Sequence, residues 1–342
     1  MKRNIPRVSV LMPVHNRAHY VGDAMASLLA QDFDDFEIVV VDDGSTDATL
    51  AVLEAIADPR LRIVRHPVNR GIPAARNTAL EAARGDYIAW LDSDDTARPN
   101  RLSAQVAFLD ANPEIALVGA GTGKLRPCGA RRKGNRAPPA DSADIAAWLL
   151  FRSAFQQSSV MGRAAILKRY PYRADFPVCE DLDVFIRIGR EHRLANLPLT
   201  LIDRRIHPGQ TVQRRRDAIF ERKRVLAHEM LTGMGVAHGE DDLACHVLLG
   251  KATLDRDQVD AELLTRSARW LRHLRASNAR SGALDPASLR FATSYVWLLL
   301  CRAALPKLGV RRVLPAVLGS SLSRGIFSRR ALGGLYRLAF AR

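Results

Sequence analysis

The first 120 residues alternate between two textures, and no other feature of the sequence narrows the fold as much. Apolar runs at 8–12, 36–41, 61–66, 87–91 and 115–118 read as strands, and 20–30, 48–57, 74–83 and 101–109 between them read as helices. The runs are apolar at nearly every position, as strands covered on both faces are. Strand–helix units of this length predict an α/β fold with a mostly parallel sheet flanked by helices and right-handed crossovers.

Residues 121–140, GTGKLRPCGARRKGNRAPPA, are rich in glycine, proline and arginine and read as a loop. A helix is expected over 143–151, a strand over 157–161, a helix over 182–190 and a strand over 197–206. From 217 the pattern is helical. The expected division is therefore 1–215 and a helical, basic region over 216–342.

Ligands of open parallel sheets bind outside the carboxyl ends of the strands. Those ends carry Pro13, Val14, His15 and Asn16, then Asp42 and Asp43, then Asn69 and Arg70, then Asp92–Asp95. In IAWLDSDD, Asp92 and Asp94 flank Ser93, and their like charges raise each other's pKa unless a cation neutralises them. Mg²⁺ or Mn²⁺ suits such oxygen ligands together with substrate phosphates. A lone triplet of this kind is more often a solvated turn. In VVVDDGSTD, Asp43 could accept from a base imide or a ribose hydroxyl, while Gly44 and Ser45 or Thr46 equally suit a tight turn and a helix cap. Arg76, one turn into a helix after Gly71 and Pro73, is placed for a phosphate or is a plain surface arginine. No GxGxxG follows a strand and no GxxxxGK[ST] occurs, which argues against dinucleotide-binding and P-loop domains.

The ordered set VSVLMPVHNR, VVVDDGSTD, NRGIPAARN and YIAWLDSDD resembles the family-2 glycosyltransferases of GT-A fold, over residues 8 to about 95. The resemblance implies transfer of a sugar, with inversion, from a nucleoside diphosphate sugar (a UDP-sugar favoured) to a glycan or lipid-linked acceptor, with Mg²⁺ or Mn²⁺. It implies that Pro13, Val14 and Asn16 border the nucleotide and that Asp43 meets the base. Asn69, Arg76 and Ser93 join that nucleotide set, Asp92 faces the ribose or metal, and Asp94 ligates the metal. More loosely, QQSSVMGRAAI is similar to the family's acceptor-side strand. FPVCEDLDVFIRIGR is similar to its Glu-Asp motif, which makes Asp181 the general base with Asp183 a weaker candidate. RRIHPGQTV is similar to its late histidine segment, which brings His207 to the metal or diphosphate. The implied halves are a nucleotide-sugar half over about 1–120 and an acceptor half over about 121–215. Taken alone, Glu180 and Asp181 would be an ordinary acidic helix start.

The formal charge of +15 points to an anionic partner. After Asp285 no Asp or Glu occurs, while arginines and apolar residues interleave through Arg324, Ile326, Arg329, Leu335, Arg337 and Arg342. That mix predicts helices on an anionic membrane surface, cut short at Pro306 and Pro315. The rival is a basic nucleic-acid or membrane-surface module without catalysis. Aromatics at 6% and the lack of zinc-finger or RRM patterns weigh against nucleic acid. A nucleotidyltransferase would need a glycine-rich basic segment after the first strand, where VLMPVHNRAHY stands. Four scattered cysteines suggest neither zinc site nor disulfide framework and fit a reducing compartment. The N-terminal apolar run is too short for a signal peptide, and no apolar run reaches the 18 or so residues of a membrane span, so a cytoplasmic protein, peripheral on the membrane at most, is expected.

Overall fold

The computed structural model describes residues 5–136, 138–207, 215–251, 254 and 259–323. Its sheet is built outward from β1 (Val8–Val14), which pairs in parallel with β2 (Phe36–Asp43) on one side and β4 (Tyr87–Trp90) on the other. β3 (Leu61–His66) extends the parallel set beyond β2. Beyond β4 lie β8 (Met161–Arg163) and then β6 (Ile115–Leu125), each antiparallel to the strand before it. β9 (Arg193–Arg205) runs parallel to β6, and the short β5 (Thr96–Ala97) closes that edge antiparallel to β9. β7 (Arg131–Arg136) pairs with β6 off this path. Thus β1–β4, β6 and β9 share one direction, and β5, β7 and β8 oppose it.

The strands form because their apolar runs are buried on both faces; β2 is buried along its whole length, Asp42 and Asp43 included. Helix α1 (Val21–Leu29) packs Val21, Ala24, Met25 and Leu28 on the sheet at helical three- and four-residue spacing. Helices α2 (Thr49–Glu54), α3 (Ile72–Ala82) and α4 (Arg101–Ala111) complete the crossovers. In the order β3-β2-β1-β4 the chain reverses its direction of travel at the β1/β4 junction, the switch point where a crevice opens at the carboxyl ends.

The chain divides into two compact units, Met1–Ala140 with Phe155–Arg215, and Asp141–Ala154 with Arg216–Phe340. The first also holds α6 (Ala164–Leu167) and α7 (Glu180–Glu191). The second is helical: α5 (Ser142–Leu149), α8 (Arg216–Gly233), α9 (Glu240–Leu249), α10 (Ala261–Ser281), α11 (Pro286–Leu308) and α12 (Val310–Leu318). Its core joins Leu231, Leu243, Leu271, Leu274, Trp297 and Leu300. His246, buried among them, sits at a pKa of about 4 because burial disfavours its charge. The neutral ring donates from Nε2 to the Leu150 carbonyl at 2.6 Å and accepts at Nδ1 from Trp270 Nε1 at 3.2 Å.

Three expectations change. Much of residues 121–140 is not loop: β6 runs on to Leu125 and β7 returns along it, with Gly129 at φ 85° in the connection. The backbone ladder makes this hairpin with little apolar patterning to announce it. The strand expected over 157–161 starts later: Gln157–Ser159 form a single 3₁₀ turn, and β8 spans Met161–Arg163. Nor do the prolines cut the helices. Pro306 and Pro315 both lie inside helices, and the break falls at Gly309, whose φ of 72° ends α11. The expectation over 324–342 lies outside the described residues. No described helix is long and apolar enough to cross a membrane.

Candidate active site

At the end of β1, Val14 is buried and pairs with Asp42 across the ladder, with Pro13 beside Val41. The chain then turns through Asn16 at φ 52°. Among the described residues only Asn16 and Cys179 are non-glycines with positive φ; Asn16 is a predicted site residue, and Cys179 opens the helix that carries Asp181. Asn16 clamps the turn after β2: its N–H donates to Ser45 Oγ at 3.0 Å and its Oδ1 accepts from the Thr46 N–H at 2.8 Å. Gly44 is required there, since it sits at φ 67° and a Cβ would lie 2.5 Å from the Val68 carbonyl carbon.

Asp43 is fully engaged by the next turn. Its carboxylate accepts from the Arg70 and Gly71 N–H groups at 2.9 Å each, and lies 2.7 Å from His66 Nδ1. Asn69 Oδ1 also accepts from the Gly71 N–H, at 3.1 Å. Asp42 is different. One of its oxygens accepts from the Ser45 N–H, while the buried Oδ2 accepts no hydrogen bond and has Arg65 Nε 3.8 Å away. The acceptor with spare capacity in this acidic pair is therefore Asp42.

β4 ends at Trp90, so strand alternation no longer governs Asp92 and Asp94. The Asp95 N–H donates to the Asp92 carbonyl at 3.0 Å, and this turn sends the carboxylates to separate partners. Asp92 accepts from Arg76 Nη2 at 3.0 Å. Asp94 Oδ2 lies 2.9 Å from His207 Nε2 and 3.7 Å from Arg17 Nε. Asp95 is buried and takes Ser158 Oγ at 2.5 Å and the Arg205 N–H at 3.0 Å. Burial, then the charges of Asp94 and Asp92, push the Asp95 pKa well above the usual carboxylate range. Ser93 is buried between them. Arg101 lies fully buried near this turn; burial pulls its pKa down to about 9 against the opposing charges of Asp92 and Asp95.

Helix α7 starts from Cys179 in the left-handed region, which brings Glu180, Asp181 and Asp183 into its first turn. Arg76 joins this helix to the acidic turn. Its buried guanidinium donates to Asp92 and, through Nε at 3.3 Å, to Glu180, with the Trp90 ring centroid 5.1 Å away. Burial opposes the Arg76 charge, but Asp92, Tyr172, Glu180 and Asp181 outweigh it and its pKa is raised. Burial, reinforced by Asp181, lifts the Glu180 pKa to about 7 although Arg76 pulls it down. Asp181 is half-buried, and its Oδ1 accepts from the Leu182 N–H at 2.7 Å. Asp183 is fully buried and paired with Arg173 at 2.7 Å and Arg187 at 2.8 Å. Those two ion pairs tie Asp183 to the scaffold.

Three residues in this arrangement escaped the sequence reading. Ser158 bridges the turn, accepting from the Asp92 N–H at 3.2 Å while donating to Asp95. Arg205, with 1% of its surface exposed, reaches Asp94 O at 3.0 Å, Pro127 O at 2.9 Å and Asp23 Oδ2 at 2.7 Å. Tyr20 lies between Arg205 and the His207 ring, whose centroid is 4.8 Å from its own. Glu180 read as an ordinary helix start and is instead the second anchor of Arg76. Arg205 stands two residues before His207 at a strand end, the one local signal that pointed to it. The rest of RRIHPGQTV, from Pro208 on, lies outside the described residues.

Among the described residues no three His, Cys, Asp or Glu side chains converge as a complete metal cage. The Asp94–His207 pair still fits a divalent ion of the Mg²⁺ or Mn²⁺ type, which takes one or two protein ligands and completes its shell with substrate phosphates and water. An imidazole beside a carboxylate leans toward Mn²⁺.

Residues 9–169 match the model of "Glycosyl transferase family 2". An uncharacterised glycosyltransferase of Haemophilus influenzae is 30% identical over 219 residues, 61% of this chain and 68% of that protein. The putative glycosyltransferase EpsE of Bacillus subtilis is 32% identical over 192 residues, 54% of this chain and 68% of that protein. The succinoglycan biosynthesis protein ExoO of Rhizobium meliloti is 47% identical over 107 residues, 31% of each chain. Among solved structures, S. aureus TarS 1-349 in complex with UDP-GlcNAc has a similar fold, with a TM-score of 0.57 at 21% identity over 91% of this chain and 90% of that one. The mannosyltransferase PcManGT of Pyrobaculum calidifontis, in complex with GDP-Man and Mn²⁺, gives a TM-score of 0.53 at 19% identity over 99% of this chain and 88% of that one. Together with the ordered strand-end motifs, these matches place the chain in the family-2 glycosyltransferases, with a GT-A fold.

Proposed function

We propose that this glycosyltransferase moves a sugar from a nucleoside diphosphate sugar to a hydroxyl of a growing envelope polysaccharide or of a lipid-linked acceptor, with inversion and with a divalent metal. The observation that carries the reading is Arg76, which holds the acidic turn at Asp92 and the helix start at Glu180 together. Donor-side and acceptor-side carboxylates thereby belong to one site. The name of the succinoglycan biosynthesis protein ExoO supports a polysaccharide product, and the UDP-GlcNAc complex of TarS favours a UDP-sugar as donor.

In this reading Pro13, Val14, Asn16, Asn69 and Ser93 form the nucleotide rim. Asp43 holds the 69–71 turn through the Arg70 and Gly71 N–H groups and meets the base there. Asp92 faces the ribose while held by Arg76. Asp94 and His207 hold the metal, which when bound offsets charge developing on the leaving diphosphate. Asp181 accepts the proton of the acceptor hydroxyl as that oxygen bonds to the anomeric carbon and the carbon–oxygen bond to the diphosphate breaks. Glu180 and Arg76 set the direction of the helix start that carries Asp181. The nucleotide-sugar half then spans about 1–120 and the acceptor half about 121–215, with the helical region after it.

The test is release of nucleoside diphosphate from a panel of UDP-, GDP- and dTDP-sugars in the presence of an envelope lipid extract. The expected outcome is turnover of one donor class by the full chain and none by Asp181→Asn, with donor affinity within about twofold of the parent. Loss of donor binding in that variant would remove Asp181 from the role of base.

A further inference from the structure

Exposed apolar side chains scattered singly need no explanation. Ile5, Val68, Leu199 and Val225 are of that kind. The helical unit presents something else. Val310, Leu314 and Leu318 are 62%, 47% and 72% exposed, and Leu305 is exposed just before them. The first three are spaced by four in α12, so they share one side of the helix. Val313, 1% exposed, fastens α12 to the helical core. The helix is thus apolar on two arcs, and among the described residues only one of them is covered.

Charge decides what covers the other. Arg302, Lys307, Arg311 and Arg312 are all exposed on the same stretch, and no carboxylate follows Asp285 in the sequence. A second copy docked symmetrically on this face would set cation against cation. Nucleic acid would meet the cations but leave the leucines without a partner. An anionic bilayer surface satisfies both: leucines enter the acyl boundary while arginine and lysine heads stay at the phosphate level. With nine residues, α12 lies along the surface and does not cross it.

We propose that α12, with the end of α11, is an interfacial anchor for anionic lipid. The proposal does not depend on the donor or on the catalytic assignments. Two observations carry it: the uncovered apolar arc and the one-signed charge around it.

The full chain is floated with phosphatidylcholine vesicles and with vesicles that also contain phosphatidylglycerol. Binding to the anionic vesicles is expected, at least about tenfold weaker on neutral ones, and falling as salt rises. Replacing the exposed pair (Leu314→Glu with Leu318→Glu) should cut vesicle binding about tenfold or more while circular dichroism and donor binding stay as in the parent. Arg311→Ser with Arg312→Ser should remove most of the preference for anionic lipid. Failure of the parent chain to bind phosphatidylglycerol vesicles would overturn the proposal. Equal binding by the glutamate variant would do the same. So would a parent dimer in sedimentation that the glutamate variant dissociates, since the face would then belong to a second copy.

Discussion

The acidic turn at 92–95 and the acidic helix start at 180–183 come from different strands and different halves of the sheet, yet they are built alike. Each buries one carboxylate completely and ties it to the scaffold: Asp95 to Ser158 and the Arg205 N–H, Asp183 to Arg173 and Arg187. Each sends a second to Arg76, through Asp92 and Glu180. Each leaves a third, partly exposed, outside those Arg76 contacts: Asp94 and Asp181. The difference lies in the partners. The turn gathers histidine and arginine around Asp94, whereas Asp181 Oδ1 accepts from the backbone N–H of Leu182. A carboxylate facing cationic and imidazole groups suits a metal and a diphosphate.

The sharpest way to break this comparison is to exchange roles within the helix start. Asp181→Asn should lower transfer by about 10²–10⁴-fold. If Asp183→Asn matched that loss with its fold intact, the division between structural and catalytic carboxylate would fail. Glu180 offers a pH test. Its folded pKa of about 7 stands above the ordinary glutamate value, so the native state holds the proton more tightly than the unfolded chain. The sign follows: this group's contribution to stability is complete at pH below the unfolded value and is lost as pH rises through about 7. Urea midpoints of Glu180→Gln and the parent should therefore diverge across that window, by up to about 3 kcal/mol, with the variant losing less. Parallel profiles would contradict the shift.

Asp183→Asn should cost about 2 kcal/mol of stability, less than a fully buried pair because Arg173 and Arg187 remain partly exposed, and leave kcat near the parent. The smallest expected effect is that of Arg205→Lys, which keeps the charge but loses the fork to Asp94 O, Pro127 O and Asp23. About a tenfold loss of metal affinity or activity is expected, with KM for the acceptor unchanged. A rise in acceptor KM instead would move Arg205 out of the donor side.

Apart from the two-residue β5, the order and type of the elements up to α4 were legible because each longer strand is an apolar run and each helix has a periodic face. Boundaries were less so: β1 and β2 run two residues further than their apolar runs, since ladder pairing continues through Val14 with Asp42 and through Asp43 with His66. The β6–β7 hairpin was hidden because RRKGNR has no apolar alternation to read. The candidate residues were visible as types at strand ends, but their partners were not. Whether Asp43 or Asp42 keeps spare acceptor capacity depends on the Arg70 and Gly71 N–H groups, which arrive from another strand connection. Ser158 carries no local signature and Arg205 only its place two residues before His207; their roles exist only once β8 and β9 bring them beside the acidic turn.

The most direct measurement of the central claim is calorimetric titration of UDP into the full chain and into Asp94→Ala, each with and without Mn²⁺. GDP and dTDP serve as companion titrants for the donor base. The account predicts nucleotide binding that strengthens with Mn²⁺ in the parent, and loses at least about a hundredfold of that metal-dependent gain in the variant. Binding indifferent to Mn²⁺, or a variant with the parent's full metal response, would contradict it.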